Sequence, residues 1–192
     1  MDIQTLAIPE VVLVRPRRHA DPRGFFSEVF VDRLFRAEVA DVVFVQDNHS
    51  LSRDKGVIRG LHFQLSPHVQ GKLVRCTRGR ILDVAVDIRT GSPTFGRHVA
   101  VELSAENGSQ LWVPGGFAHG FCTLETDTEV LYKVTEYYAP ECDRGLAYDD
   151  PTLGIAWPDL DHPPILSARD RHHPRLADLG DVFGYDGPPA GS

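Results

Sequence analysis

Hydrophobic and polar positions alternate along much of the chain, and this period of two is typical of β-strands. The clearest case is residues 80–88, where four aliphatic residues fall on one face of a strand and Asp83, Ala85 and Asp87 fall on the other. Residues 99–103 repeat the arrangement. The pattern therefore predicts strands that each present two chemically different faces.

From residue 43 onward, the pattern predicts a series of short strands separated by Gly, Pro, Asn or Asp turns. In chain order they carry the sequences FVQ, VIRGLHFQ, KLVRCT, RILDVAVDI, RHVAVEL, QLWVP, AHGFCTLE and TEVLYKVTEYY. Upstream, residues 11–14 and 25–30 are strand candidates, while residues 31–40 carry a helical stripe of apolar side chains. Many short strands with almost no helix between them predict an all-β fold, an antiparallel sandwich or jelly roll.

After about residue 140 the chain becomes irregular and rich in proline, with at most a short helix beginning near Ser167. We expect this segment to pack over the sheet as an irregular C-terminal tail. The last residues, GPPAGS, are expected to be frayed. The predicted organisation is a single domain over residues 1–185 and a frayed tail over residues 186–192.

Composition narrows the classes of partner. The chain has 192 residues, 42% of them hydrophobic, which is enough to bury a full core. Its formal net charge of -7 argues against a nucleic-acid partner or an anionic membrane surface, because both usually require a basic face. An anionic substrate would therefore need a local cluster of basic side chains.

The cysteines and the apolar runs indicate a cytoplasmic protein. Cys76, Cys122 and Cys142 are odd in number and show no CxxC spacing, which is typical of reduced intracellular thiols. The first residues lack a basic segment followed by a long apolar core. No apolar run approaches the roughly 20 residues needed to span a bilayer. We expect neither secretion nor membrane insertion.

Residues 57–79 carry an unusual density of ionisable side chains for a pair of strands. They are Arg59, His62, Gln64, His68, Lys72 and Arg75. Histidine takes up and releases protons near neutrality, and a fixed cation beside it stabilises an oxyanion. This combination suits the removal of a proton next to a carbonyl group.

Strict alternation does not bring all of these side chains together. It puts Arg59 and His62 on opposite faces, so both reach one cavity only if the strand is irregular, and Gly60 between them is a candidate β-bulge. Farther along, alternation puts Tyr132 on the same interior face as two valines. A hydroxyl group facing an apolar interior needs a partner, and a substrate would supply one.

A second informative stretch, LWVPGGFAHGF, reproduces the Pro-x-Gly-x-x-His turn of the cupins through Pro114, Gly116 and His119. Cupins are small jelly rolls that usually bind a metal through histidines and a glutamate. Here Lys72 stands where that glutamate is expected, and a protonated amine offers no lone pair to a cation. The sequence looks like a cupin that has lost its metal.

The whole set of motifs closely resembles the dTDP-4-dehydrorhamnose 3,5-epimerase family, which are metal-independent cupins. The motifs run in family order over nearly the whole chain: DPRGFFSE at 21–28, FVQDNHS at 44–50, RGLHFQ at 59–64, GKLVR at 71–75, GSPTFG at 91–96, PGGFAHGF at 114–121 and YKVTEYY at 132–138. DPTLGIAWP and LSARD follow near the end. The resemblance implies an epimerase of nucleotide deoxysugars.

The resemblance also implies catalytic roles. His62 would be the general base that removes protons from carbons 3 and 5 of a 4-ketosugar, and Tyr132 the acid that returns them from the opposite face. Asp170 would orient His62 and raise its basicity. Lys72 would stabilise the enolate oxygen. No cofactor and no metal are expected.

Substrate contacts are implied by the same family. Arg23 and Arg59 would hold the pyrophosphate of a dTDP-linked ketosugar, and His119 would line the sugar pocket. The other implied contacts to the nucleotide are Glu28, Gln46, Asn48, Asp143 and Arg169. Asp143 and Arg169 stand where the family more often has glutamate and lysine, so their reach differs.

Family resemblance further implies a homodimer that exchanges strands at its N-terminal side and acts in dTDP-rhamnose synthesis for cell-surface polysaccharide. His172 and His173 lie beyond the last matching motif and are expected at the surface.

Different interpretations remain open on the residues alone. His62 and Tyr132 are each compatible with a structural role in the core, and Lys72 and Arg59 with solvated edge charges. One alternative is an enzyme of the same fold that inverts only one carbon of the sugar or moves its ketone. Two more hypotheses are a metal-dependent cupin with His62, His68 and His119 as ligands, and a sugar-nucleotide binding module without catalysis.

Overall fold

The structure is a computed structural model that describes residues 1–187. Residues 188–192, which make up most of the predicted frayed tail, lie outside the described part of the chain. The strands are β1 Asp2–Thr5, β2 Val12–Arg15, β3 His19–Asp21, β4 Gly24–Phe26, β5 Gln46–Ser52, β6 Ile58–Gln64, β7 Lys72–Arg78, β8 Arg80–Asp87, β9 Arg89–Thr90, β10 His98–Ser104, β11 Gln110–Val113, β12 Phe117–Thr123, β13 Thr128–Val134, β14 Asp143–Gly145 and β15 Phe183–Gly184. One α-helix, α1, spans Asp32–Glu38.

Two antiparallel sheets form the body of the fold. The first has six strands in the order β1-β2-β11-β7-β13-β5, and the second has five in the order β10-β8-β12-β6-β14. Strands β3 and β4 form a separate antiparallel hairpin, while β9 and β15 pair in parallel. The all-β cupin-type jelly roll predicted from the sequence is confirmed.

The core lies between the two sheets. Val74 of β7, Leu111 of β11 and Val130 of β13 pack against Ala85 of β8 and Phe121 of β12. All five side chains are almost completely buried, so the two sheets are held face to face mainly by the hydrophobic effect.

The other face of the five-stranded sheet is also apolar. Val84, Val86 and Ile88 pack there against residues of the C-terminal segment, including Leu153 and Leu176. The two faces predicted for residues 80–88 are therefore both buried, one against the opposite sheet and one beneath the tail. This explains why the irregular C-terminal segment is held on the sheet as predicted.

Three local predictions need correction. The predicted strand FVQ is in fact β5, which begins at Gln46 and continues through polar residues to Ser52, with its pairing to β13 outweighing its low apolar content. The strand predicted over residues 25–30 ends at Phe26, because β4 pairs only with the short β3. The helix predicted near Ser167 is only a 3-10 turn over Asp170–His172.

Two further features of the described chain concern the thiols and the membrane. Cys76, Cys122 and Cys142 are buried free thiols. Among residues 1–187, no helix has the length and apolar character required to cross a bilayer.

Candidate active site

A cavity of about 470 Å³ opens between the two sheets, a volume suited to a small-molecule ligand. Strands β5, β6, β7, β12 and β13 contribute to its walls, together with the C-terminal segment. All of the predicted site residues except Arg23 and Glu28 line this cavity. His62 and Tyr132 both line this cavity.

An irregularity in β6 brings Arg59 and His62 to the same cavity. In the pairing with β12, His119 lies opposite His62 and Phe121 lies opposite Arg59, so β6 has one extra residue in this interval. Gly60 sits within it at a φ of +141°, and a Cβ there would lie 2.5 Å from the Cα of Gly120. The β-bulge predicted at Gly60 is confirmed.

Strand β5 supplies a polar wall through its alternating positions. Gln46, Asn48 and Ser50 all line the cavity, and Gln46 Nε2 donates a hydrogen bond of 2.8 Å to Asn48 Oδ1. The Ser50 hydroxyl is buried and has no partner among the described residues. Ser50 was not predicted as a site residue, although its spacing from Gln46 and Asn48 in the sequence follows the period of a strand.

His62 forms a close pair with Asp170. Its Nε2 lies 2.6 Å from Asp170 Oδ1, and the Asp170 side chain is only 5% exposed. Burial lowers the pKa of His62 below its ordinary value of 6.5, and the hydrogen bond and charge of Asp170 oppose this only in part. At neutral pH the imidazole is therefore a neutral base held by a carboxylate.

Asp170 is itself held as an anion. Burial tends to raise its pKa, but hydrogen bonds from His173 and His62 outweigh burial and hold the pKa below its usual range. The main-chain N–H of Asp170 also donates to the Ser167 hydroxyl over 3.1 Å. The 3-10 turn therefore presents a fixed carboxylate to the ring of His62.

Lys72 is a buried cation at the start of β7. Its Nζ donates a hydrogen bond of 3.0 Å to the main-chain oxygen of His62, and the residue is 7% exposed. Burial lowers its pKa to about 8, whereas the charges of Asp143 and Asp83 raise it. The ammonium group therefore remains largely protonated at pH 7 and its charge is poorly screened.

Tyr132 lies on β13 with its side chain partly buried against the core between the sheets. Val130 and Val134 on the same face are buried, as alternation predicted. Burial raises the pKa of the Tyr132 phenol, while the charge of Arg59 lowers it. The phenol is therefore a protonated donor at neutral pH.

His119 lines the same cavity and forms a second imidazole–carboxylate pair with Asp83, which does not line it. Its Nε2 lies 2.8 Å from Asp83 Oδ1, and their side chains are 8% and 0% exposed. The other carboxylate oxygen of Asp83 is buried without a hydrogen-bond partner among residues 1–187. This pair is less accessible to a ligand than His62 and Asp170.

Asp143 and Arg169 lie at the cavity wall and pair with each other. The Tyr138 hydroxyl donates a hydrogen bond of 3.1 Å to the same Asp143 oxygen. Burial tends to raise the pKa of Asp143, but the hydrogen bond and charge of Arg169, together with the hydrogen bond from Tyr138, outweigh burial and lower the pKa. Tyr138, which is 55% exposed, was not singled out as a site residue.

Arg23 and Glu28 do not reach the cavity of their own chain. Arg23 lies in the turn of the β3–β4 hairpin, where it pairs with Asp21 and its side chain is 89% exposed. Glu28 is exposed just beyond β4. Phe25 and Phe26 of this hairpin are also exposed, at 59% and 67%. The hairpin is thus a polar and aromatic arm outside the body of the fold.

Side chains of the types that bind metals come together beside the cavity. Among residues 1–187, the one set of His, Cys, Asp or Glu side chains close enough to share a cation is His62, Asp170 and His173, whose ligand atoms lie within 4.8 Å of one another. The set of His62, His68 and His119 is not brought together. Lys72 and Arg169, whose positive charges act on His62, disfavour a cation beside it.

Comparison with known proteins assigns the family. A family model described as dTDP-4-dehydrorhamnose 3,5-epimerase matches residues 5–178. The chain is 58% identical over 185 residues to an enzyme of that name from Sinorhizobium fredii, covering 96% of this chain and 94% of the relative. The chain belongs to the dTDP-4-dehydrorhamnose 3,5-epimerase family.

Solved structures of epimerases share this fold. A dTDP-6-deoxy-D-glucose-3,5-epimerase from Legionella pneumophila, in complex with dTDP-4-keto-L-rhamnose, superposes with a TM-score of 0.92 at 43% identity, covering 97% of this chain and 99% of that one. The 3'-monoepimerase ChmJ from Streptomyces bikiniensis, in complex with dTDP-quinovose, gives 0.86 at 37% identity, covering 94% and 92%. The solved structures that resemble this chain therefore include a 3,5-epimerase and a 3'-monoepimerase.

Proposed function

We propose that this protein inverts carbons 3 and 5 of dTDP-4-dehydro-6-deoxyglucose and so produces dTDP-4-dehydrorhamnose. The observation that carries the proposal is the shared cavity, in which a neutral His62 held by Asp170 faces the same space as a protonated Tyr132 and a buried Lys72. Membership of the epimerase family supports the same reaction.

His62 is the general base of the proposed reaction. Carbons 3 and 5 both adjoin the carbonyl at carbon 4, so loss of either proton gives an enolate. Because burial lowers the pKa of His62, its ring is neutral and ready to accept a proton at pH 7. Asp170 keeps the ring oriented and stabilises the imidazolium that forms.

Lys72 stabilises the negative charge that develops on the carbonyl oxygen. Its ammonium group is buried and donates to the His62 main chain, so it is already in place before reaction. A preorganised cation in a site of low dielectric stabilises an oxyanion more than water does.

Tyr132 is the acid that returns a proton to the opposite face of the carbon. Its raised pKa keeps the phenol protonated until the enolate accepts that proton. Inversion requires removal and return from different sides, which two separate groups on a shared cavity provide. Each inverted centre transfers one proton to His62 and takes one from Tyr132, so solvent must reset both groups.

The nucleotide part of the substrate is held by the polar wall and by cations. We assign Arg59 to the pyrophosphate, and Gln46, Asn48, Asp143 and Arg169 to the nucleotide, with His119 lining the sugar pocket. The side chains of this group all line the cavity. Arg is well suited to a diphosphate because its guanidinium forms paired hydrogen bonds.

Arg23 and Glu28 act in a second copy of the chain in this proposal. Both lie on the exposed arm, away from their own cavity. In a homodimer the arm of one copy would bring Arg23 to the pyrophosphate and Glu28 to the nucleotide of the other. Arg23→Ala should then raise KM about tenfold or more, and light scattering should report a dimer for both proteins.

Proton exchange in heavy water tests the reaction directly. The protein is mixed with dTDP-4-dehydro-6-deoxyglucose in D₂O, and NMR follows each carbon of the sugar. Deuterium at both carbon 3 and carbon 5, with formation of dTDP-4-dehydrorhamnose, is the expected result. Tight binding of the ketosugar without exchange at either carbon would contradict catalysis and leave a binding module.

The second candidate is an epimerase that inverts carbon 3 alone. The structural similarity to the 3'-monoepimerase ChmJ favours this reaction over a metal-dependent cupin activity and over binding without catalysis. Both epimerisations use the same base and acid and differ in how the ring lies between them. Exchange confined to one carbon in the same experiment would support this candidate and exclude the double epimerase.

We also propose a place for the reaction in the cell. The ketone left at carbon 4 requires reduction to reach dTDP-rhamnose, a donor for cell-surface polysaccharide, and we place this synthesis in the cytoplasm.

A further inference from the structure

His173 occupies a position that the sequence did not suggest. Its exposed neighbour His172 lies at the surface as predicted, but the side chain of His173 is only 8% exposed. His173 Nε2 lies 3.3 Å from Asp170 Oδ1, the same oxygen that is 2.6 Å from His62 Nε2. The two imidazole rings meet edge to face, with centroids 5.6 Å apart. One carboxylate oxygen thus accepts hydrogen bonds from two histidines.

The fold makes room for this ring. A Cβ on Gly145 would lie 2.3 Å from His173 Nε2, so the ring packs where any larger residue would displace it. Gly145 belongs to β14 and lies opposite His62 in the pairing with β6. The next residue along the tail is also fixed, since Ala147 N donates a hydrogen bond of 2.8 Å to Pro174 O. His173 is therefore held against the strand beside the catalytic pair.

We propose that His173 is a positioning residue for the epimerisation, a second imidazole that fixes Asp170 and limits how strongly this carboxylate raises the proton affinity of His62. The proposal rests on the proposed function of the cavity. His173 touches neither the sugar nor the enolate in this assignment, and acts only through Asp170.

The physical reason is the sharing of one anionic group between two donors. A hydrogen bond to a carboxylate stabilises its charge, so each further donor leaves less negative charge for the others. Burial tends to raise the pKa of Asp170, and the hydrogen bond from His173 lowers it alongside the shorter bond from His62. Asp170 can then orient His62 without keeping it protonated at neutral pH, and an imidazolium would be useless as a base.

The charged groups around the pair act on the pKa of His62 in opposite directions. Asp170, on the 3-10 turn of the C-terminal segment, faces the ring of His62 and raises the pKa of that histidine. Lys72 on β7 and Arg169 lower the pKa of His62 by their positive charge. Asp143 on β14 is the other carboxylate that interacts with His62. His173 adds a donor to Asp170 and leaves these groups in place, so its removal changes one contact.

The test uses three variants of the full-length protein. His173→Phe keeps a ring but removes the donor, whereas His173→Gln keeps an amide donor of similar reach. His172→Ala is the matched control, because that exposed ring forms a hydrogen bond to the main-chain oxygen of Ala168 and none to Asp170 or His62. The pKa of His62 is measured in each by ¹⁵N NMR titration without substrate, and kcat/KM is measured across pH.

In His173→Phe we expect the pKa of His62 to rise by about 0.5 to 1 unit, with the acidic limb of kcat/KM moving by the same amount. We also expect kcat to fall about threefold to tenfold at pH 7 with KM little changed, because a freed carboxylate orients the base less well. In His173→Gln, the pKa of His62 and kcat should both return most of the way to the wild-type values. His172→Ala should match the wild type.

Gly145→Ala provides an independent route if His173→Phe does not fold. Its methyl group displaces the His173 ring and leaves the histidine itself unchanged, so the same rise in the pKa of His62 is expected. An unchanged pKa of His62 in both His173→Phe and Gly145→Ala would overturn the proposal. A Gln variant that behaves like the Phe variant would also overturn it, because hydrogen bonding would then not be the cause.

The two readouts separate this inference from the proposed function. If the wild type shows no exchange of deuterium into the ketosugar, the proposed function fails, while the titration of His62 still decides whether His173 tunes it. If exchange occurs and the titrations of all variants coincide, the proposed function stands and the role of His173 is excluded.

Discussion

Two histidine–aspartate pairs border one cavity, each through its histidine, yet their surroundings differ. His62 and Asp170 join β6 to the C-terminal segment over 2.6 Å, and the His62 side chain remains 33% exposed. His119 and Asp83 join adjacent strands of one sheet over 2.8 Å, and the His119 side chain is only 8% exposed. The same two residue types therefore form an accessible base in one place and part of the cavity wall in the other.

The difference teaches that exposure and partners, more than residue type, determine which histidine can do proton chemistry. A catalytic imidazole must reach the substrate and change its charge during turnover. His119 has its Nε2 occupied by a carboxylate whose second oxygen is already unpartnered among residues 1–187. Moving that imidazole would leave a buried charge without a donor, which is costly.

The largest expected effect comes from exchanging each histidine for glutamine. Glutamine keeps an amide donor near the position of Nε2 but cannot accept a proton, so His62→Gln should lower kcat about 1,000- to 10,000-fold. His119→Gln should keep kcat within about tenfold and act mainly on KM and stability. Steady-state kinetics at saturating substrate and thermal melting check both. Equal losses of kcat would remove the proposed distinction between the pairs.

Lys72 sharpens the comparison because it interacts with both pairs. It donates to the main chain of His62, and the charge of Asp83 acts on its ammonium group. Lys72→Ala removes the cation that stabilises the enolate and should lower kcat about 100- to 1,000-fold. Arg75→Ala on the same strand is a matched control outside the cavity. A Lys72→Ala variant with the turnover of the wild type would exclude the assigned role.

Substitution of Tyr132 tests whether His62 and Asp170 work together with a separate acid. Tyr132→Phe removes only the hydroxyl, so inversion should slow about 100-fold. His62 can still remove a proton and return it to the same face, and deuterium should enter the starting sugar without inversion. NMR in D₂O measures both processes. Loss of exchange in parallel with inversion would instead make Tyr132 necessary for the first proton transfer.

The smallest effect concerns pH. The catalytic imidazole must be neutral, and burial lowers its pKa below 6.5, so kcat/KM should be flat near pH 7 and fall only at more acidic pH. The His62→Gln variant should lose this acidic limb, whereas His119→Gln should retain it. The same limb in both variants would assign it to another group. If kcat/KM already decreased as the pH was lowered from 8 to 7, the pKa of His62 would not be lowered, and this interpretation would be wrong.

Much of the fold follows from local pattern. Alternation over residues 80–88 predicted two faces, and both are buried in the structure, Ala85 on one side and Val84 on the other. The polar strand β5 was largely missed because its side chains face a cavity and not an apolar core, so hydrophobicity gave no guide. The predicted strand over residues 25–30 was too long, because Phe25 and Phe26 are apolar but lie exposed on the β3–β4 arm instead of in the core.

Within the candidate site, the sequence could identify residue types more readily than contacts. Motifs in family order named His62, Lys72 and Tyr132, and the conformational freedom of Gly60 suggested the irregular strand that turns Arg59 inward. Ser50 and Tyr138 lie within those motifs but were not singled out as site residues, and His173 lies beyond the last motif.

By itself the sequence determined the strand periodicity and the position of the bulge, because each depends on residues close together in the chain. The family resemblance implied that Asp170 orients His62, 108 positions away, and the structure places the two side chains in contact. Only the tertiary structure decided that His173 shares this carboxylate and that Arg23 stays outside its own cavity. These contacts depend on how the C-terminal segment and the N-terminal arm lie on the two sheets, and no local pattern encodes that packing.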